Sequence, residues 1–319
     1  MAETTARTTE SVTGQTEHTI EVAAPADTVY RLLAEVENWP QLFPPTIFAD
    51  YLDNNELEQR IRIWATAGAG VKHWVSRRVL DPGQRRIEFR QEVSSAPIAA
   101  MGGTWIVDPL AGDRSHVRLL HDYRAVTAAD LSWIDDVVDR NSQTELAALK
   151  RSIELGAAGA DAAFEFEDTV EVAGTAEDVF GFISEAQLWP ERLPHVAGVE
   201  LTEPGPGMQS LAMDTVAVDG SQHRTMSYRI MFPHHKIAYK QLTMPALMTL
   251  HTGYWTVRPS THGVSVSSQH SVVINTDNIA AVLGPDADID TAKAYVRRAL
   301  STNSLATLRH AKQFAEARS

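Results

Sequence analysis

The chain has 319 residues, no cysteine and a formal net charge of −13 from 28 basic and 41 acidic side chains. Hydrophobic residues at 44% and charged residues at 22% are ordinary for a folded chain and too apolar for a disordered one. The absence of cysteine removes disulfides, thiolate metal sites and a cysteine nucleophile, and halves carrying −7 and −6 about residue 160 include no basic module for nucleic acid.

Met1 to Glu17 is rich in Thr, Ser and Glu and has no apolar core, so it is expected to be a disordered tail and not a secretory leader. No run reaches the ~20 apolar residues of a membrane span, and a cytoplasmic chain is expected. Residues 18–23 alternate around Ile20 and Val22, as a strand does. Pro25 and Asp27 open a helix through about Glu35, with Val29, Leu32, Leu33 and Val36 on one face, and Trp39-Pro40 ends it. Alternating segments near 59–65, 71–79, 86–93, 103–108 and 116–125 follow, separated by turns such as Asp81-Pro82-Gly83. A long helix over about 131–155 carries Leu131, Ile134, Val138, Leu146, Leu149 and Ile153. Ala157 to Ala163, small and glycine-containing, reads as a linker, after which the same order recurs and ends in a helix near 288–316.

That recurrence is a duplication. Thr19-Ile20-Glu21-Val22-Ala23 returns as Thr169-Val170-Glu171-Val172-Ala173, and Trp39-Pro40 as Trp189-Pro190. Ten of the 26 positions from Thr19 to Pro44 are identical at an offset of 150, without a gap. Gly103, Trp105, Val107 and Pro109 correspond to Gly253, Trp255, Val257 and Pro259, while Arg78 and His121 correspond to Arg229 and His270 after one-residue shifts. The period is far too long for a solenoid, so each copy is a whole domain. The expected organisation is a tail at 1–17, one domain at 18–156 and a second at 167–319. Alternation by itself supports only an α+β class with an antiparallel sheet.

Glu37-Asn38-Trp39-Pro40-Gln41-Leu42-Phe43, the strand Trp74-Val75-Ser76-Arg77-Arg78 and Trp105 resemble the aromatase/cyclases of bacterial type II polyketide synthases, members of the START/Bet v1-like superfamily. The module occurs twice, so the chain is similar to the di-domain branch. The resemblance implies a helix-grip fold, a curved antiparallel sheet around a long C-terminal helix with a cavity between them. It also implies a poly-β-ketone held as a thioester on an acyl carrier protein, closed by an intramolecular aldol reaction and dehydrated to an aromatic first ring. Di-domain members typically serve pathways in which one ketone is already reduced. The resemblance implies no cofactor, and nothing in the sequence sets the oligomeric state.

Trp74, Ser76 and Arg78 share one face of a strand. The resemblance makes Arg78 the functional arginine, able to hold polyketide oxygens and a developing oxyanion; an arginine facing solvent or a carboxylate is the bland alternative. Val117, Leu119, His121 and Tyr123 share another strand face, and Val266, Ser268, His270, Val272 and Ile274 repeat that row. His121 is therefore the acid/base candidate, against a core histidine satisfied by backbone. Trp64, Trp74 and Trp105 are expected to line the cavity, Tyr123 to offer a hydroxyl or simply to pack, and Arg229 and His270 to contact substrate in the second copy. Asn141, Ser142 and Glu145 lie where the long helix covers the cavity, although a polar helix face explains them equally well. Thr225 in place of Trp74 gives the second cavity a different shape, so the first copy is the expected catalytic one. Arg85 and Arg86 are the candidates for docking an acidic carrier protein. The alternative function is a non-catalytic START-like carrier of a lipid, sterol or quinone; several inward polar groups would favour the enzyme.

Overall fold

The computed structural model describes residues 12–67, 70–157, 162–216, 220 and 222–319. They form two compact units, each built on a seven-stranded sheet. In the first unit the elements are β1 (Thr13–Val22), α1 (Ala26–Ala34), α2 (Trp39–Leu42), β2 (Thr46–Asn54), β3 (Glu58–Ala67), β4 (Gly70–Asp81), β5 (Arg86–Gln91), β6 (Ile98–Leu110), β7 (Arg114–Ala125) and α3 (Leu131–Ala157). The second repeats them as β8 (Ala163–Val172), α4 (Ala176–Ser184), α5 (Trp189–Arg192), β9 (Val196–Gly205), β10 (Met208–Val216), β11 (Gln222–Phe232), β12 (Lys236–Thr243), β13 (Met248–Ser260) and β14 (Gly263–Ile274). It ends with α6 (Ile279–Leu283) and α7 (Ile289–Glu316). The sheet orders are β1-β7-β6-β5-β4-β3-β2 and β8-β14-β13-β12-β11-β10-β9. The long helix of each unit packs on its first and last strands, α3 on β1 and β7, α7 on β8 and β14.

Three details depart from the sequence expectations. The first strand begins at Thr13, so residues 13–17 belong to the sheet and not to a tail; residues 1–11 and 158–161, within the expected tail and linker, lie outside the described residues. Trp39-Pro40 opens α2 instead of closing the preceding helix, with proline in the first turn, where its fixed φ suits a helix and its missing N–H costs nothing. Strand β2 was not expected. Its Asp50 and Asp53 blur the alternation, yet these carboxylates pair with Arg62 and Arg60 of the neighbouring β3 and help dock the strand.

Sequence periodicity explains the rest. In β1, Gly14, Thr16, His18, Ile20 and Val22 turn inward while the intervening residues are exposed. A capping box of Thr127 and Asp130 leads into α3, and Asp288 caps α7 by accepting from the Thr291 amide at 2.8 Å. The buried face of α3 reads Ile134, Val138, Ser142, Leu146, Leu149, Ile153. Its apolar contacts with the sheet fall into two clusters. One joins Leu146, Leu149 and Ile153 to Val29, Leu33, Trp105, Val117 and Leu119. The other joins Ile134 and Val138 to Met101, Tyr123 and Ala125. Between them, at Ser142 and Glu145, the helix presents polar groups to the sheet.

Candidate active site

Residues directly opposed in antiparallel strands point to the same face. Arg78 opposes Phe89, Phe89 opposes Gly103, Gly103 opposes His121, and His121 opposes Thr16. These five form one row across the helix-facing side of the sheet. The second unit repeats the row as Arg229, Tyr239, Gly253, His270 and Phe166. The glycine is required by close approach: a Cβ on Gly103 would lie 2.6 Å from Phe89 Cζ, and one on Gly253 would lie 2.6 Å from Tyr239 Oη. The aromatic ring of β5 or β12 thus lies across the glycine, between the arginine and the histidine.

Arg78 closes one end of the row. Its Nη2 donates to Leu33 O at 2.6 Å, and its Nη1 donates to Ala34 O at 3.1 Å and Gln59 Oε1 at 2.9 Å. The guanidinium lies 5.2 Å from the Trp39 ring centroid. The carbonyls belong to the end of α1, where the helix leaves acceptors without internal partners. Burial pulls Arg78 down to about 10, still charged at neutral pH. Three of its five N–H groups thereby hold the fold. Ser76 is buried on the same face, and Trp74 packs against the cluster of Val36, Ala49, Ile61, Ile63 and Ala65.

His121 lies at the polar gap. Phe89 meets it edge-on at 5.6 Å, and Ser142 Oγ on α3 lies 3.4 Å from its Nδ1. Desolvation, and then the neighbouring His18, push the imidazole down to about 4, so it is neutral at pH 7. Glu145, one turn along α3 from Ser142, keeps part of its residue surface accessible while its carboxyl is enclosed, and desolvation pushes it up to about 7. A neutral imidazole and a carboxyl that holds its proton near neutrality are the two halves of acid/base chemistry.

Other expected site residues lie elsewhere. Trp64 packs with Phe48, His73 and Arg62, on the sheet face opposite to Ile61 and Ile63, and does not join the row. Trp105 is on the correct face but fills the core beside Phe43, at a centroid distance of 6.3 Å. Tyr123 donates its hydroxyl to the Asp135 carboxylate, and burial, followed by that bond, raises its pKa; that proton is committed within the fold. Arg85 pairs with Asp27 and Arg86 with Glu88, so neither is a bare cation for docking. Conversely, the sequence reading missed Gln59, which anchors Arg78, and His18, which sits on the inward face of β1 beside His121. The alternation of residues 13–22 carried the signal for His18, but those residues were divided between tail and strand.

In the second unit the histidine is fully engaged. His270 Nδ1 lies 2.9 Å from Tyr239 Oη and 3.0 Å from His251 Nε2, and its Nε2 lies 3.1 Å from Ser268 Oγ. Phe166 stacks on the imidazole at 4.7 Å and on Phe164 at 6.0 Å. These phenylalanines occupy the places of Thr16 and Gly14, at the same offset of 150. Burial pushes His270 down to about 4 and, with His270 beside it, His251 down to about 3. Arg229 copies the anchor of Arg78, donating to Gln209 Oε1 at 2.9 Å and Ile183 O at 2.5 Å, and burial pulls it down to about 9. Arg229 is therefore committed to Gln209 and the end of α4, and His270 to three hydrogen-bonding neighbours, whereas His121 has Ser142 Oγ alone, at 3.4 Å, among the described contacts.

Sheet, covering helix and inward polar row define a tandem helix-grip protein with a polar interior in each copy. The chain belongs to the family described as polyketide cyclase / dehydrase and lipid transport, which matches residues 13–154 and 163–311. It is 50% identical over 302 residues to the granaticin polyketide synthase bifunctional cyclase/dehydratase of Streptomyces virginiae, covering 92% of this chain and 97% of that one. It is 42% identical over 304 residues to the actinorhodin polyketide synthase bifunctional cyclase/dehydratase of Streptomyces coelicolor, covering 92% and 94%. Among solved structures it is similar to the di-domain ARO/CYC BexL of the BE-7585A biosynthetic pathway, with a TM-score of 0.90, 56% identity, and 96% and 100% of the two chains covered.

Proposed function

We propose that the chain is the aromatase/cyclase of an aromatic polyketide pathway and that the first unit carries the chemistry. The substrate is a ketoreduced poly-β-ketone presented as a thioester on an acyl carrier protein, and the reaction is aldol closure of the first ring followed by loss of water. The observation that carries this reading is the polar gap in the first unit, where neutral His121 on the sheet faces Ser142 and proton-holding Glu145 on α3. A simple lipid carrier needs apolar walls there; a cyclase needs inward groups that accept and donate protons.

Arg78 fixes the closed end of the row, and the N–H groups it does not spend on α1 and Gln59 are directed to a substrate oxygen. A charged donor held rigidly in a dry site stabilises the alkoxide that forms as the ring closes. An imidazole of the gap accepts a proton from a carbon flanked by carbonyls, and Glu145 protonates the departing hydroxyl. The test is reconstitution with a minimal synthase and ketoreductase. Wild-type protein should convert the shunt mixture into a product with an aromatic first ring. His121→Ala should accumulate cyclised material that has not lost water, and Arg78→Ala should impair ring formation itself. Unchanged products from wild type and variants alike would return the chain to the carrier reading.

A further inference from the structure

A second imidazole faces the polar gap. His18 on β1 is a diagonal neighbour of His121: Thr16 opposes His121, and His18 opposes Leu119, on the same inward face. His18 Nε2 lies 2.6 Å from Asp139 Oδ1 on α3. A carboxylate only accepts, so the hydrogen of this contact is carried by Nε2, and in the tautomer with that single proton Nδ1 presents its lone pair. That Nδ1 is buried and has no hydrogen-bond partner, and the same is true of the adjacent Thr16 Oγ1. A buried acceptor left unsatisfied is costly, and here it points to a ligand that supplies the missing hydrogen. Asp139 itself is half exposed and accepts from Gln143 at 2.9 Å, so the outer end of the pair exchanges protons with water.

The duplicated unit argues against a purely structural tie. Asp168 stands at the position of His18, and Ser301 and Ser304 stand at those of Asp139 and Ser142. Asp168 accepts from Ser304 at 2.8 Å and from Ser301 at 3.2 Å. The strand and helix are thus joined at the same place without any imidazole. Other titratable groups around His18 are His121 and Tyr123 on β7 and Asp135, Asp139 and Glu145 on α3, so one acid-backed base faces one protonatable acid across the gap.

We infer that the His18–Asp139 pair is the base of the reaction, with Nδ1 of His18 the atom that removes the carbon-bound proton. This rests on the cyclase reading of the same site, and it assigns to His121 the role of holding a substrate oxygen or enol. In ring closure, Nδ1 takes a proton from a carbon flanked by carbonyls. The electron pair left on that carbon forms the new bond to a second carbonyl carbon, and the resulting alkoxide takes the proton back from the imidazolium. In dehydration, Nδ1 takes a second proton, the freed pair becomes the double bond, and the hydroxyl leaves as water with a proton from Glu145, whose carboxylate is reprotonated by the imidazolium. Asp139 stabilises the imidazolium in both steps. Atoms and charge balance, and no oxidant or reductant enters.

The decisive variant is H18D/D139S, which writes the contact of the second unit into the first. Thermal melting should stay near wild type, while product formation in the reconstituted pathway falls by about 10²-fold or more. D139N, which keeps the imidazole but not the counter-charge, should retain its fold and lose about tenfold. A folded H18D/D139S protein that turns over at the wild-type rate would overturn this inference alone. Wild-type protein that leaves the product mixture unchanged would overturn the cyclase reading and this inference together. If H18D/D139S fails to fold, D139N decides: full activity sinks the pair as the base, and a loss confined to turnover with unchanged melting supports it.

Discussion

Replacing Arg78 with methionine removes the charge and keeps most of the volume, and it separates anchoring from catalysis. The structure gives Arg78 three hydrogen bonds, to Leu33 O, Ala34 O and Gln59. Hydrogen bonds to a charged group are worth about 1.5–3 kcal/mol each, or roughly 4.5–9 kcal/mol in all. Against this, the drop of the guanidinium from 12.5 to about 10 means that holding the charge indoors costs about 3 kcal/mol at about 1.36 kcal/mol per pKa unit. Methionine avoids that cost but leaves the two carbonyls and the amide short of a donor. The net loss should be about 2–6 kcal/mol, and at about 2–4 °C per kcal/mol the midpoint of the first unit should fall by roughly 10 °C. Arg229→Met should cost the second unit less, because that anchor has two hydrogen bonds in place of three and burial pulls Arg229 further down, to about 9. Differential scanning calorimetry of the full chain resolves this. If melting of Arg78→Met stayed within a degree or two of wild type while activity vanished, the anchoring argument would be wrong and Arg78 would be purely a substrate group.

Further expectations follow from the same geometry. Glu145 must hold a proton to act as an acid, so turnover should fall as pH rises through about 7, and Glu145→Gln should flatten that limb while lowering the rate by about 10²–10⁴; a pH–rate profile that keeps the limb in the variant rules Glu145 out. His121, His251 and His270 have folded values of about 4, 3 and 4, below the ordinary 6.5, so the unfolded chain binds more protons and stability is lost as pH falls from 6.5 toward 4. Three such rings outweigh the opposing gain from the one raised carboxyl, Glu145, so melting temperatures should drop by several degrees between pH 6.5 and 4.5, and a flat curve over that range contradicts the burial of these rings. Thr16→Phe imports the residue that stacks on His270; product formation should fall at least about tenfold, with melting unchanged or raised because a buried ring contributes about 1.5–3 kcal/mol.

The duplication, the order of elements and the inward row of β7 were legible because all of them depend on period-two alternation and on side-chain identity. Strand β2 was not, since apolar Phe48 and Leu52 share the outer face with Asp50, and a register shift between Tyr51 and Asp53 breaks the alternation. Alternation grouped Ser76 with Arg78 and Leu119 with His121, but it could not tell what Arg78 touches, because two of its partners are backbone carbonyls some 45 positions away in the chain. Trp64 was misassigned for a simple reason: a tryptophan buried on the outer face of a sheet has the same sequence signature as one buried inside. His18 escaped notice because its partner Asp139 is 121 residues distant and because residues 13–22 were divided between tail and strand.

The long helix α3 behaves as a beam on two piers. Its ends are seated in separate apolar clusters, Leu146, Leu149 and Ile153 at one and Ile134 and Val138 at the other, and the span over residues 139–145 carries little of the load. Truncating a pier, as in Leu149→Ala, should cost about 2–5 kcal/mol. Mid-span exchanges at Ser142 or Glu145 change what the interior can do without loosening the bearings. A chain arranged this way can be retuned for a different guest by rewriting a few residues between its supports, and between the two copies Asp139 and Glu145 give way to Ser301 and Thr307 while Ser142 is kept as Ser304.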